Sequence, residues 1–450
     1  MERERKVKTW EWLVLVTFAL LCVIATVEAE TLTEQDAIRI ALQNNHTLAN
    51  SVLESQKTEA QTAAARTHRF PTVELEVLGA QQVTDISFKF DKGEFGTYPG
   101  IGPVPYTDTV ISTPSVPTAT IMGTIQQPLT QLYQIDLKVK QLELSEQIAQ
   151  QDVRRVRQEL VSEVRQAYYG IQQTQSSLKS AEEVVALYRE LDRVTDQYLV
   201  QQVVLKSDSI DMKMRAAKAE NDVFTLVSDL VVAKQKLNSL LNRDIMLDFD
   251  VESEVANVTD ASDLDTTQKA ALNQRPELKQ AQLKVQQAQL DRRVKKSEYI
   301  PDLGVQFQYT SLQNFDDFLP SSYGSVGLEL KWEVFDWGRK SKELAEKTLA
   351  IHQAENQERD TRNSIVTDVT DKFFKLQESR RLVEIARLSH EAASENARVF
   401  ANRFKVQSAI LKDVLQAQTA LEQSNSQYQQ SLLALRAAQA EFEKARGEEQ

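Results

Sequence analysis

The hydrophobic positions change period inside one stretch of the chain, from Tyr323 to Leu415. Val326, Leu328, Leu330, Trp332 and Val334 alternate with Ser325, Gly327, Glu329, Lys331 and Glu333. A period of two describes a strand with one apolar and one polar face. From about Gly338 the spacing becomes helical, and neither proline nor glycine occurs again before Gly447. Up to a turn signal near Val406 and Gln407 the helix runs for about 69 residues, or about 100 Å at about 1.5 Å per residue. That is about three times the hydrocarbon thickness of a bilayer. A half-apolar strand joined to such a helix predicts a membrane barrel continued by a long helical shaft.

The pattern occurs twice. After a capping-box-like Thr33 and Asp36, helical spacing (Ala37, Ile40, Ala41, Leu48, Val52) runs over 36–69 and ends at Phe70-Pro71, because a residue before proline is pushed out of the α region. Val73, Leu75 and Val77 then alternate with Thr72, Glu74 and Glu76. At an offset of about 230 residues Ala41, Leu48 and Pro71 fall on Ala271, Leu278 and Pro301, and another alternating segment follows. At about 205, Tyr168-Tyr169 fall on Phe373-Phe374, Asp208 on Asp413 and Leu237 on Phe442. The offset changes because the first inter-strand loop, 91–117, is longer than its counterpart, 313–322. The reading is therefore a duplication. The first repeat, 30–245, holds strands 71–83 and 118–127, a long helix 131–199 and a shorter one 203–242. A connector follows over 246–268. The second repeat, 269–447, holds a helix 269–299, strands 301–312 and 323–335, a long helix 338–406 and a shorter one 408–445.

In each repeat the two shorter helices add up to about one long helix, so a stacked pair fits beside it. Apolar residues at steps of three and four supply seams: Val153, Val156, Leu160, Val164, Ala167 and Ile171; Leu187, Leu191, Val194 and Tyr198; and Ile385, Leu388, Ala392 and Val399. Heptad-like packing needs that spacing.

The strands are about 9–13 residues long, the span of a tilted transmembrane strand. A spanning sheet has to close, because an open edge in lipid leaves backbone groups unpaired. Four strands do not close, as the smallest single-chain barrels have about eight; copies of the chain must join, most economically three. Tyr309, Tyr323, Trp332, Phe335 and Trp337 are candidates for an interfacial aromatic girdle. A soluble sheet with one face on a core would show the same alternation.

Composition narrows the class. Only 12 glycines and 10 prolines in 450 residues mean few turns and long elements. The net charge of −12, with no basic block interleaved with aromatics, argues against nucleic acid. Arg3, Arg5, Lys6 and Lys8 precede an apolar run from Trp12 to Val27, with Val27-Glu28-Ala29 as a cleavage site. This predicts a signal peptide over 1–29; a retained anchor is the alternative. The single cysteine, Cys22, lies inside it, so the mature chain would hold no disulfide, Cys-zinc site or thiol nucleophile. His46, His68, His352 and His390 lack paired ligand spacing, and the acidic 248–254 segment lacks the glycine and spacing of a calcium loop. Neither catalysis, metal nor cofactor is expected.

The segments LTEQDAIRIALQNN, QRPELKQAQLKV, KSEYIPDLGVQFQYT, FDWGR after a strand, and FKVQSAILKDVLQAQTAL jointly resemble the TolC-like outer-membrane efflux proteins, in order over the whole mature chain. The resemblance implies a mostly α protein with a membrane β-barrel. Four strands per chain would form a 12-stranded trimeric barrel in the cell outer membrane, continued by a coiled-coil α-helical barrel in the periplasm, with the acidic connector at its equator. It implies a homotrimer, in contact with outer-membrane lipid, that receives efflux or type I secretion substrates from a periplasmic adaptor and an inner-membrane RND, ABC or MFS pump. Where the family's tip turns carry glycine this chain has Gln202 and Gln407, so altered turn geometry is expected. The family's tip tyrosine, arginine and second aspartate fall on Phe404, Ala409 and Gln416; Asp413 keeps one acidic position, and the other tip holds Ser207, Asp208 and Asp211. Asp208, Asp211 and Asp413 could form a constriction that favours cations, or Asp208 and Asp413 could cap helix N-termini. A coiled-coil envelope protein without a lumen is the rival reading. The cargo, small molecule or protein, is not encoded in these motifs.

Overall fold

The computed structural model describes residues 30–81, 83–84, 86–113, 117–202, 204–252, 263–314, 320–406 and 408–447. The expected leader and Gln407 lie outside them. In chain order the elements are β1 (Glu30–Leu32), α1 (Glu34–Asn44), α2 (His46–Thr67), β2 (Thr72–Gln81), β3 (Ile86–Phe90), β4 (Thr97–Tyr98), β5 (Gly102–Pro103), β6 (Thr109–Thr113), β7 (Pro117–Pro128), α3 (Gln131–Val200), α4 (Lys206–Leu241), β8 (Phe249–Val251), α5 (Leu264–Gln274), α6 (Pro276–Ser297), β9 (Asp302–Gln313), β10 (Ser322–Lys331), α7 (Arg339–Lys405) and α8 (Leu411–Arg446). They fall into two compact units. Residues 54–150 and 279–359 form one, and the remainder the other.

The first of these units holds an antiparallel sheet in the order β10-β9-β7-β2. Its register aligns the alternation of all four strands. Val73, Ile125, Phe307 and Val326 make one apolar row, and Glu74, Thr124, Gln308 and Ser325 make the neighbouring polar row. Directly opposed residues share a face, so one side of the sheet is apolar and the other polar. Every residue of the edge strands β2 and β10 is exposed. Among the described residues no core covers either face of these two strands, unlike a soluble sheet seated on a core. Strand β10 stops at Lys331 and not at 335, since Lys331 already pairs with Asp302, the first residue of β9. Beyond it lies Pro301, which has no ladder donor. The hydroxyl of Thr130 ties strand to helix, donating to the Pro301 carbonyl (2.7 Å) and accepting from the Leu303 amide (2.8 Å). The long first loop carries a ribbon, β3 with β6 and β4 with β5, with Phe90 against Phe95. Its short runs broken by glycine and proline gave no strand signal.

In the helical unit the expected helices 36–69 and 269–299 are each broken. At Asn45 the backbone turns extended, and the side chain accepts the Thr47 and Leu48 amides, starting a second helix (2.9 and 3.1 Å). At Arg275 the break follows from Pro276, which excludes helical geometry at the preceding residue and suits the first helical position. The core of the first repeat includes Ala41, Leu48, Leu160 and Val164. The residues at the two sequence offsets, Ala271, Leu278, Ile365 and Val369, build the core of the second. Each joint is closed by a left-handed C-cap. Asn242 (φ 51°) ends α4 and donates to the Asn44 carbonyl, while Gly447 (φ 77°) ends α8 against Arg275. A short pairing the sequence did not announce, parallel β1 with β8 inside the expected connector, is fixed by the buried Tyr168, whose hydroxyl donates to the Leu32 carbonyl at 2.9 Å.

The seams are partly revised. Leu160, Val164 and Ile171 are buried as expected, and near the end of α3 the buried hydrophobic residues are Val185, Tyr188 and Leu191. On α7 the chain-facing side is Leu376, Val383 and Ala386, whereas Ile385 is 63 % exposed and Leu388 is exposed with it. Helix α7 thus has two apolar sides, and its own chain covers one.

Candidate functional site

Two regions answer to the sequence expectations: the helix ends in the helical unit and the apolar face of the sheet.

At the first helix end α3 closes through Gln202, which adopts φ 62° while its amide bonds the Leu199 carbonyl at 3.0 Å. The left-handed turn, for which glycine is the unstrained residue, is made here with a glutamine in it. The main-chain bond holds a conformation that costs an L-residue about 1–2 kcal/mol. Asp208 and Asp413 occupy equivalent third positions of α4 and α8. Each carboxylate accepts the amide that precedes the helix, from Leu205 at 3.1 Å and from Ile410 at 3.4 Å. These are N-terminal caps aligned with the helix dipole. The Ser207 hydroxyl lies 3.5 Å from Asp208. Asp211 is paired with Arg215 on the next turn, 2.9 Å away.

A cavity of about 1100 Å³ lies among these ends, lined by Tyr198, Asp208, Asp211, Arg215, Phe404 and Gln416 among others. It brings together the first repeat's acids and Phe404, whose ring meets Tyr198 edge-on at 5.9 Å; Asp413 is not in its lining. A second cavity, about 480 Å³, shares Arg215 and Thr419 with it and reaches Tyr188, Asp222 and Glu422. Burial pushes the Tyr188 phenol up to about 12, with help from its hydrogen bond to Glu422. Burial also raises Glu422, outweighing the Tyr188 and Gln418 hydrogen bonds and the Arg215 charge. The sequence reading missed this cluster. A glutamate and an arginine on long polar helices carry no signal until the fold brings them beside Tyr188.

On the sheet, Tyr309 lies in an apolar row with Gly123 and Leu75. Tyr323 pairs with Thr310, which pairs in turn with Met122, in a row of the polar face, so its place in an outward girdle is corrected. Parity decides it, since Tyr323 is an odd number of residues from Val326. Trp332, Phe335 and Trp337 follow the end of β10 and are exposed, Trp337 by 90 %. Phe335 and Trp337 meet edge-on at 4.8 Å. Asp336 makes the turn into α7, accepting the Gly338 and Lys340 amides at 3.0 and 2.8 Å. The Lys340 amide, with that of Gly338 behind it, holds the Asp336 carboxyl below its ordinary value. The FDWGR segment is thus a capped strand-to-helix turn that sets aromatic rings beside the end of the sheet. Among the described residues no group of three or more His, Cys, Asp or Glu could hold a metal.

A family model described as outer membrane efflux protein matches residues 37–243 and 268–448. The chain belongs to that family. It is an outer-membrane protein of a family of transport channels and not of enzymes. Solved structures agree in fold. The CmeC outer membrane channel of Campylobacter jejuni aligns over 92 % of this chain and 85 % of its own, at 13 % identity and a TM-score of 0.77. VceC of Vibrio cholerae aligns over 92 % and 96 %, at 13 % identity and 0.72. The open-state MtrE channel of Neisseria gonorrhoeae aligns over 92 % and 88 %, at 16 % identity and 0.72. No curated protein matches the sequence.

Proposed function

We propose that three copies close their four-stranded sheets into one barrel of twelve strands and serve as the exit duct of a tripartite efflux or type I secretion system. Substrates then enter from a periplasmic adaptor and an inner-membrane RND, ABC or MFS pump, which supplies the energy. One observation carries the reading: a four-stranded sheet, apolar on one side, with both edges unpaired and no core over its edge strands. In lipid such a sheet closes only by pairing β10 of one copy with β2 of the next. The exposed Val200, Leu205 and Ile210 at one helix turn, and Val406 and Ile410 at the other, are the surface we assign to the adaptor. Asp208 and Asp413 act first as caps, and the constriction rests on Asp208 and Asp211 around the larger cavity. Protein purified in detergent and placed in planar bilayers should conduct and run as a heat-labile trimer. A monomer stable without detergent, or a trimer without conductance, favours the coiled-coil rival. Asp208→Asn with Asp211→Asn should reduce block by divalent cations, and unchanged block leaves capping as the only role of Asp208.

A further inference from the structure

The polar face of the four-stranded sheet is not polar throughout. Toward the loop end of the sheet its rows run Glu74–Thr124–Gln308–Ser325, then Glu76–Met122–Thr310–Tyr323, then Leu78–Thr120–Leu312. Leu78, Met122, Leu312 and Tyr323 thus gather in two adjacent rows, about 7 Å apart. Leu78 is 60 % and Tyr323 51 % exposed. Between Met122 and Tyr323 the Thr310 side chain is buried. The Gln308 amide reaches the Thr310 hydroxyl at 3.5 Å and the Met122 sulfur at 3.2 Å. Barrel interiors are ordinarily polar, and contiguous exposed apolar side chains mark a surface that meets a ligand.

The charges on this face are one-sided. Among the described residues of the four strands it carries Glu74, Glu76, Asp302 and Glu329 against Lys331 alone. Lys331 stands in the last row at the opposite end, paired with Asp302. Glu74 and Glu76 are exposed, one beside the Met122–Tyr323 row and one in it. From Glu76 to Tyr323 that row crosses three inter-strand gaps, about 14 Å. A carboxylate, a thioether and a phenol ring at this spacing suit one chemistry. A positive charge gains from the glutamates, aryl groups stack on the tyrosine, and an apolar body covers the methionine and leucines. An anion meets repulsion here, and a small hydrated cation gains nothing from the apolar rows.

We propose that these rows form a low-affinity site for amphiphilic organic cations leaving through the barrel, with Glu74 and Glu76 facing the charge and Met122, Leu78 and Tyr323 the apolar body. The site is complete within one chain, since one row supplies its carboxylate and its ring. This rests on the barrel reading above, which turns the polar face to the lumen, and it adds the class of cargo that pauses there. The tyrosine that the strand period removes from the outward girdle is thereby assigned a task inside.

The test is block of single-channel current in planar bilayers by tetraphenylphosphonium, with tetramethylammonium as a cation of equal charge and no aryl surface. Tetraphenylphosphonium should block at the lower concentration. Tyr323→Ser should raise its half-blocking concentration about fivefold and leave that of tetramethylammonium unchanged, while Tyr323→Phe, which keeps the ring, should retain the wild-type value. Glu74→Gln with Glu76→Gln should weaken block by both cations. Tyr309→Ser removes a tyrosine from the opposite face of the same sheet and should change neither. Conducting channels in which Tyr323→Ser and the glutamate pair block as the wild type does, or in which Tyr309→Ser matches Tyr323→Ser, overturn the site and leave the duct reading intact. A wild-type protein that does not conduct overturns both.

Discussion

Val326→Arg and Ser325→Arg are neighbours whose effects should differ by several kcal/mol. Val326 lies mid-strand in β10, in the apolar row with Phe307, Ile125 and Val73, and is 75 % exposed. It lies four residues from Ser322 and five from Lys331, about 13–17 Å from either end, the depth of a bilayer midplane. An arginine there costs about 2–4 kcal/mol per copy on the lipid side of a barrel. The lower figure is already about 30-fold in an equilibrium constant, and a trimer bears it three times. Ser325 faces the polar side with Gln308 and Thr124, where arginine meets water and changes stability by about 0.5 kcal/mol or less. Urea-unfolded protein is refolded into lipid vesicles and the fraction of heat-labile trimer is measured against urea. The expected result is a large loss for Val326→Arg and near-parity for Ser325→Arg. In a water-facing sheet a residue as exposed as Val326 would accept arginine freely, so equal behaviour of the two variants refutes the assignment of faces.

Three further substitutions probe the helical unit. Gln202→Gly should relieve the left-handed strain and, after the entropy a glycine loses, stabilise the first turn by about 0.5–1 kcal/mol. Amide exchange around 199–206 should slow, and faster exchange would contradict the strained turn. Gly447→Ala should cost about 2 kcal/mol, since φ is 77° and the new methyl would lie 3.1–3.3 Å from Arg275 and Gln274 atoms; a variant melting with the wild type rejects the close approach. Glu422→Gln should stabilise the helix ends at neutral pH. Burial raises the Glu422 carboxyl above 4.5, so the folded state binds its proton more tightly, and the charged form costs stability as pH rises through the raised value. The gain should vanish as pH falls below 4.5, and a gain independent of pH excludes burial of the charge as its cause.

What the sequence displays and what it hides follow from the range of the forces involved. Period, proline and glycine act within a few residues, so the strands after Pro71 and Pro301, the long helices and the acids at the helix turns are all visible in the chain alone. The break at Arg275 was equally local, announced by Pro276. The break at Asn45 was not. An asparagine in a helical run is ambiguous until its side chain finds the Thr47 and Leu48 amides. Tyr188, Arg215 and Glu422 come from three helices, and no local rule relates them. Gln202 shows the converse limit: a residue disfavoured at positive φ is held there by its place between two packed helices.

Tyr323 and the Ile385–Leu388 seam failed for different reasons. Tyr323 was assigned by residue type, aromatic near a strand end, when the period of two already placed it on the polar side. At Ile385 and Leu388 the 3-4 spacing marks an apolar face, but not the one that packs within the chain, which is that of Leu376 and Val383. A 3-4 spacing says that a face needs covering; it does not say by which chain. Helix α7 shows both answers on one element, since Leu376 and Val383 pack in a cluster with Leu435 and Phe442 of α8 while Ile385 and Leu388 stay exposed. The sheet makes the same statement in its own geometry, because β7 and β9 find neighbours on both sides and β2 and β10 on one. The free edges of β2 and β10 and the exposed apolar side of α7 are the surfaces that the proposed ring of identical copies would cover.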